Sequence, residues 1–197
     1  AIAGVNAGAF FDNGTSDPSV GSVPEGLVYS KGACKWTTGS PPNGIKGFAG
    51  FNKDNILVVA QDNLSKAQAE ELNIRDGCCF GPVLIMNGEI NQEAYNSNSG
   101  WNPRTAIGQR KDGAVVFVCI DGRQAGSMGG TYKDVIDIMI EYGVVNACNM
   151  DGGSSSIMVY RDTYGLFGEA GTVQVINSYS LLQERPRKMP TFWMVAP

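Results

Sequence analysis

Ala114-Val115-Val116-Phe117-Val118-Cys119-Ile120, then Thr131 to Tyr142, then Val144-Val145-Asn146-Ala147-Cys148-Asn149 follow one another along the chain, with Gly122 to Gly130 as a glycine-rich loop and Gly143 alone between the last two. The first run is apolar without a break, as a central strand covered on both faces is. The middle segment offers Thr131 as an N-cap, Asp134 in the first turn, and Val135, Ile138, Met139 and Tyr142 on one stripe. Gly143 stands where a C-terminal glycine belongs, so the segment reads as a helix. Strand, helix and strand in this order predict a crossover that leaves the two strands parallel, with their C-terminal ends at one edge of a sheet. Those ends carry Asp121 and Asp151. A strand lying between the two would separate them by about 5 Å more.

Upstream, Thr105-Ala106-Ile107-Gly108 and the run from Ala114 flank Lys111-Asp112-Gly113, and an Asp-Gly pair between apolar runs signals a hairpin. With Asp112 and Gly113 as a two-residue loop, Lys111 faces Ala114 and Arg104 falls opposite Asp121. Arg104, Asp121 and Asp151 would then meet at one rim, where ligands of open sheets bind. The plainer alternative is a cross-strand ion pair between Arg104 and Asp121 that only fixes the sheet edge. Elsewhere, Ala1 to Asn6, Leu27 to Tyr29, Ile45 to Phe51, Ile56 to Ala60, Cys78 to Met86, Thr172 to Ile176 and Thr191 to Val195 read as strands, the fifth bent or confined to an edge by Gly81-Pro82. Ser65 with Gln68 three positions on marks a short helix reaching Asn73. The fold class expected is α+β: a mixed, largely antiparallel sheet of short strands with a few helices, including the β-α-β crossover near residues 114–149.

The crossover delivers the chain to Asn149-Met150-Asp151-Gly152-Gly153-Ser154-Ser155-Ser156, a carboxylate followed by two glycines and three serines. Adjacent glycines let successive N–H groups converge on an anion, and the hydroxyls add donors. The composition suits a phosphate or sugar site; a simple hairpin loop has the same turn residues.

At 197 residues and 43% hydrophobic content the chain fits one domain, expected to span residues 1–197. A net charge of −4 with no long basic run argues against nucleic acid as the main partner. No apolar run approaches the roughly 20 residues of a membrane-spanning helix. The chain opens directly on a strand-like run, so the natural polypeptide is expected to begin upstream. The five cysteines include no C-x-x-C pair, and no zinc pattern emerges. Cys119 and Cys148 read as buried small hydrophobes; Cys78-Cys79 reads as two strand neighbours, a strained redox pair being the alternative. The chain has no histidine, so acid–base work must fall to Asp, Glu, Tyr, Lys or Cys.

Four separated motifs share a pattern: Val5-Asn6-Ala7-Gly8-Ala9-Phe10-Phe11-Asp12, Asn102-Pro103-Arg104-Thr105-Ala106-Ile107-Gly108, Ile120-Asp121-Gly122-Arg123, and Asn149 to Ser156. In this order they resemble the phosphodiester glycosidase family over essentially the whole chain. The departures are small: Ala7 stands for a glycine, and Ser154 for a third glycine. The resemblance implies a polar pocket containing Asn6, Gly8, Arg104, Thr105, Asp121, Gly122, Asp151, Gly152, Gly153 and Ser155. Arg185, in the Glu184-Arg185 pair that looks like the family's closing motif, joins it. The rest of Glu184-Arg185-Pro186-Arg187-Lys188 reads as a solvated connection.

The reaction that the resemblance implies is hydrolysis of the C1–O–phosphate bond of a sugar-1-phosphodiester, expected to be of N-acetylglucosamine type, giving free sugar and a phosphomonoester. A phosphate leaving group needs less protonation than a sugar alkoxide, which suits a site without histidine. In this reading Arg104, the Gly152-Gly153 amides and the hydroxyls of Ser154 or Ser155 hold the phosphate. Asp151 or Asp121 serves as nucleophile or base, and the other orients the sugar or the arginine. Arg104→Ala should then depress turnover far more than folding. No cofactor or metal is called for. The same resemblance implies a bacterial protein that is secreted or at the cell surface. Two other functions fit the residues: a non-catalytic module binding phosphorylated cell-surface glycans, and a phosphodiesterase holding a metal on Asp121 and Asp151, which two carboxylates alone do poorly.

Overall fold

The computed structural model describes residues 1–11, 21–38, 45–178 and 186–197. In chain order the strands are β1 (Ala3–Asn6), β2 (Leu27–Ser30), β3 (Ala33–Thr37), β4 (Phe48–Asn52) and β5 (Leu57–Ala60), then helix α1 (Lys66–Glu71). Next come β6 (Ile74–Cys79), β7 (Val83–Met86), β8 (Glu89–Ile90), α2 (Gln92–Tyr95), β9 (Arg104–Arg110) and β10 (Val115–Ile120). The chain closes with α3 (Tyr132–Glu141), β11 (Val144–Met150), β12 (Met158–Arg161), β13 (Val173–Val175) and β14 (Phe192–Val195). They form three sheets, ordered β13-β12-β1-β14, β10-β9-β11-β7-β8 and β3-β2-β6-β4-β5, in which every pairing is antiparallel. The expected α+β class is what the chain adopts.

Both helix starts read from the sequence are capping boxes. Ser65 and Gln68 close α1, and Thr131 and Asp134 close α3. Each pair satisfies N–H groups that the first turn leaves without partners. Helix α3 buries Val135, Ile136 and Met139 against Leu84, Ala106 and Ala147 of the middle sheet. The expected stripe is therefore rotated: Ile136 is buried and Tyr142 is exposed. The other face of the middle sheet meets the remaining two sheets in a core of Val5, Ala49, Leu57, Ile107, Met150 and Trp193.

Strands β10 and β11 are both antiparallel to β9, so they run parallel to each other with β9 between them. The crossover thus exists in its wider form. Strand β10 is an edge strand rather than the central one expected from its apolar run, and Val115 at its start is 44% exposed. Its faces are nevertheless covered, Phe117 by one core and Val116, Val118 and Ile120 by the other, which is why the run is continuously apolar. The stretch Cys78 to Met86 is two strands in two sheets, with the Gly81-Pro82 step carrying the chain between β6 and β7. Cys78 and Cys79 are free thiols buried at that strand end.

Past β12, the turn-rich stretch after Arg161 folds around one carboxylate. Buried Asp162 accepts N–H bonds from Leu166 at 2.8 Å, Phe167 at 2.6 Å and Gly168 at 3.0 Å. Burial pushes this carboxyl up, but the backbone donors outweigh it and hold the group below the usual carboxylate range. A depressed folded pKa stabilises the loop above the unfolded carboxyl value of about 3.9, and that stability is lost as pH falls through the folded value. Hydrogen exchange at residues 164–171 is therefore expected to show flat protection from pH 6 to 9 and loss of protection on acidification below about pH 4. Asp162→Asn should remove most of that pH dependence.

Candidate active site

The end of β10, the start of β9 and the end of β11 lie at one edge of the middle sheet. Chain leaving them forms a cleft lined by Pro103, Asp121, Gly122, Arg123, Gly153, Ser154, Ser156 and Ser178. It encloses about 40 Å³. On that scale about 10–15 Å³ holds one water, so there is room for a phosphate-sized group.

Asp121 is held firmly. Its Oδ1 accepts from Asn177 Nδ2 at 3.0 Å, its Oδ2 from the Ser178 N–H at 3.0 Å, and its backbone oxygen from Ser127 Oγ at 2.6 Å. Asp151 is fixed through its backbone: its N–H donates to Ala7 O at 3.0 Å and its carbonyl accepts from Asn6 Nδ2 at 2.6 Å. Buried Asn6 in turn accepts from Thr105 Oγ1 at 2.8 Å and the Ile157 N–H at 3.1 Å. Asn6 and Thr105 therefore tie both ends of the Asp151 turn to β1 and β9 from within the core and do not line the cleft. Gly8 packs behind them, where a Cβ would stand 2.9 Å from Cys78 Cβ. The Cys119 thiol, two residues before Asp121, is pushed up to about 12 by burial and then by the Asp121 charge, so at neutral pH it is no nucleophile.

The expected register is off by one residue. The hairpin loop has three residues, Lys111-Asp112-Gly113, closed by the Arg110 N–H to Ala114 O bond at 2.9 Å, with Gly113 at φ +88°. Arg104 consequently pairs with Ile120 and not with Asp121. A slip of one residue moves a side chain to the opposite face. Arg104 lies on the α3 side, 7% exposed, its guanidinium 4.3 Å from the Tyr132 ring centre. Its Nε donates to Gly130 O at 3.0 Å, and its Nη2 to Ser99 O at 2.8 Å and Gly100 O at 3.0 Å. Neither the cross-strand ion pair nor the three-residue rim of Arg104, Asp121 and Asp151 is formed.

Two other arginines stand at the cleft. Arg123, exposed and at φ +57°, donates from Nη2 to Asn102 Oδ1 at 2.8 Å. Its Nη1 lies 3.3 Å from where a Cβ on Gly153 would be. Gly153 itself sits at φ +62°, a conformation that favours glycine. Arg187 donates from Nη1 to Ser154 Oγ at 3.2 Å and lies 4.8 Å from the Phe10 ring centre. One guanidinium thus lies beside Gly153 and the other is bonded to Ser154. Ser155 and Ser156 are buried with hydroxyls that find no partner among the described residues, and Ser156 is part of the cleft wall.

Of the residues picked from sequence, Asp121, Gly122, Gly153 and Ser154 line the cleft, with Gly152 beside Pro103 O and Asp151 immediately before it. Arg185, with Glu184 and Asp12, lies outside the described residues. Arg123, Asn177, Ser178 and Arg187 were missed. Arg123 had a signal, since it closes the Ile120 to Arg123 motif. Arg187 sits in the charged connection read as solvated, and nothing local distinguishes it from its neighbours.

A cleft lined by a strand-end carboxylate, a guanidinium and a glycine-serine turn could hold an anionic ligand, in a chain without histidine. The phosphodiester glycosidase family model matches residues 1–196, and the chain belongs to that family. It is 46% identical over 93 residues to the SPbeta prophage-derived uncharacterized protein YomE of Bacillus subtilis, covering 46% of this chain and 14% of that protein. It is 26% identical over 132 residues to bovine N-acetylglucosamine-1-phosphodiester alpha-N-acetylglucosaminidase, covering 58% of this chain and 24% of that enzyme. The fold matches the zebrafish N-acetylglucosamine-1-phosphodiester alpha-N-acetylglucosaminidase catalytic domain, auto-inhibited by its pro-peptide, with TM-score 0.67 and 22% identity over 97% of this chain and 62% of that one. A hypothetical protein from Synechocystis matches with TM-score 0.58 and 16% identity over 88% of this chain and 48% of that one. The chain thus spans about a seventh and about a quarter of the two curated relatives.

Proposed function

We propose that the chain is a glycosidase that hydrolyses the C1–O bond of a sugar-1-phosphodiester, N-acetylglucosamine being the first sugar to try. The observation that carries this reading is the cleft itself: Asp121 fixed by two donors, in one lining with Arg123 and with Ser154, which Arg187 holds. Arg123 beside Gly153 and Arg187 on Ser154 grip the phosphate, and the Ser156 hydroxyl supplies a further donor. Asp121 and Asp151 share the carboxylate work at the anomeric carbon, one attacking or activating water and the other orienting the sugar. The cations stabilise the phosphomonoester as the C1–O bond breaks, which replaces most of the protonation that a sugar leaving group would need. Arg104 acts at a distance, by holding the carbonyls of Ser99, Gly100 and Gly130 behind the cleft. The same reading places the protein outside the cell or at its surface, where phosphorylated glycans occur.

Incubation with an aryl phosphodiester of N-acetylglucosamine, followed by product analysis, tests the proposal. Free sugar and an aryl phosphate are expected. Saturable binding with no release would overturn it in favour of a glycan-binding module.

A further inference from the structure

We infer that Asn177 is a positioning residue that sets the place and the orientation of the Asp121 carboxylate in the cleft, an inference that rests on the sugar-phosphodiester reading above. One nitrogen reaches two residues of the cleft lining: Asn177 Nδ2 donates to Asp121 Oδ1 at 3.0 Å and to Ser156 O at 3.2 Å. Asp121 follows the last residue of β10, and Ser156 closes the turn after β11. A donor shared between them fixes the carboxylate against that turn.

The amide is held one way round. Asn177 Oδ1 accepts the Met158 N–H of β12 at 2.7 Å. Turned over, the amide would set N–H against N–H there and oxygen against the carboxylate. The main chain on either side is tied as well: the Ile176 N–H donates to Met158 O at 2.9 Å, and Ser178 O accepts from Gln124 Nε2 at 2.8 Å. Residues 176–178 thus form a strap from β12 to the chain just past Asp121. Ser178 holds Asp121 Oδ2 through its backbone N–H, so Asn177 is the side chain, among the described residues, that donates to the carboxylate. Each carboxylate oxygen has two lone-pair sites, and one donor apiece leaves the other to meet a carbon, a water or a sugar hydroxyl. Asn177 is not one of the residues that line the cleft, so its effect on the reaction passes through Asp121 and the turn.

The test compares wild type, Asn177→Ala, Asn177→Asp, Asp121→Asn and the double variant Asp121→Asn with Asn177→Ala on the aryl phosphodiester of N-acetylglucosamine. Asn177→Ala is expected to lower kcat about thirtyfold with KM changed less than about threefold, the pattern of a misplaced reacting group and not of lost binding. Asn177→Asp keeps the shape and the acceptor for the Met158 N–H, so β12 stays tied, but it sets an oxygen against Asp121 and should lose at least as much kcat. In the Asp121→Asn background, Asn177→Ala should cost less than about threefold more, because residues that act as a unit do not add. Wild-type kcat in Asn177→Asp would mean that the amide only ties β12, which overturns the positioning role and leaves the hydrolase standing. A loss from Asn177→Ala that is as large in the Asp121→Asn background as in wild type would overturn it in the same way. Absence of turnover by the wild type would overturn the hydrolase, and the positioning role with it.

Discussion

Asp121→Asn is expected to lower kcat for sugar-phosphodiester hydrolysis by about a thousandfold, within the range that loss of a positioned carboxylate produces. The fold should survive, because the replacement keeps the side chain's shape and one acceptor for Asn177 Nδ2 or the Ser178 N–H, though one of those donors would then face an amide N–H. Asp151→Asn should lose a similar amount, since the backbone bonds to Ala7 and Asn6 that aim it are untouched by the change. Added azide separates the roles. The variant whose turnover azide restores has lost the nucleophile or base, and the glycosyl azide formed identifies the attacked carbon. Wild-type rates in both variants would remove the carboxylates from the chemistry.

Arg104→Met is expected to cost about 2–4 kcal/mol of folding stability, because three buried or half-buried carbonyls lose charged donors at once. For a chain of this size that is a fall of about 5–15 °C in Tm. This reverses the expectation from sequence, in which the same residue gripped the phosphate and its loss spared the fold. Arg123→Ala makes the contrast. Its side chain is exposed and, among the described residues, hydrogen-bonded to Asn102 Oδ1 alone, so Tm should move by less than about 2 °C while kcat/KM falls more than about a hundredfold. Thermal melts and kinetics on the two variants, run together, show which arginine serves the fold and which the ligand. Equal losses of activity at unchanged Tm would reverse the assignment.

The difference between those two arginines traces to one residue of hairpin loop. An Asp-Gly pair reads as a two-residue turn, but Asp112 Oδ1 accepts the Ala114 N–H at 3.2 Å and binds Arg110 Nε at 3.1 Å, which favours the longer loop. Side-chain bonds of that kind are invisible to a count of apolar residues, and the count then places every partner across the hairpin on the wrong face. Local signals did better. Ser65 with Gln68, Thr131 with Asp134, and the C-terminal Gly143 at φ +74° mark helix ends through contacts within one turn. The parallel relation of β10 and β11 also followed from element order, because a helix between two strands leaves few ways to return. Which strand lay between them, and that β10 would end at an edge, depended on β9 returning into the gap, a long-range choice. The carboxylates at the strand ends were legible because topology alone carries them there. Arg187 and Asn177 reach the cleft from distant chain and gave no pattern to read.

Hydrolysis of the N-acetylglucosamine aryl phosphodiester in ¹⁸O-enriched water, with mass analysis of both products, tests most directly which bond is broken. Label is expected in the hydroxyl at C1 of the released sugar, with none in the phosphomonoester. Label in the phosphomonoester would mean attack at phosphorus, and the chain would be a phosphodiesterase rather than a glycosidase.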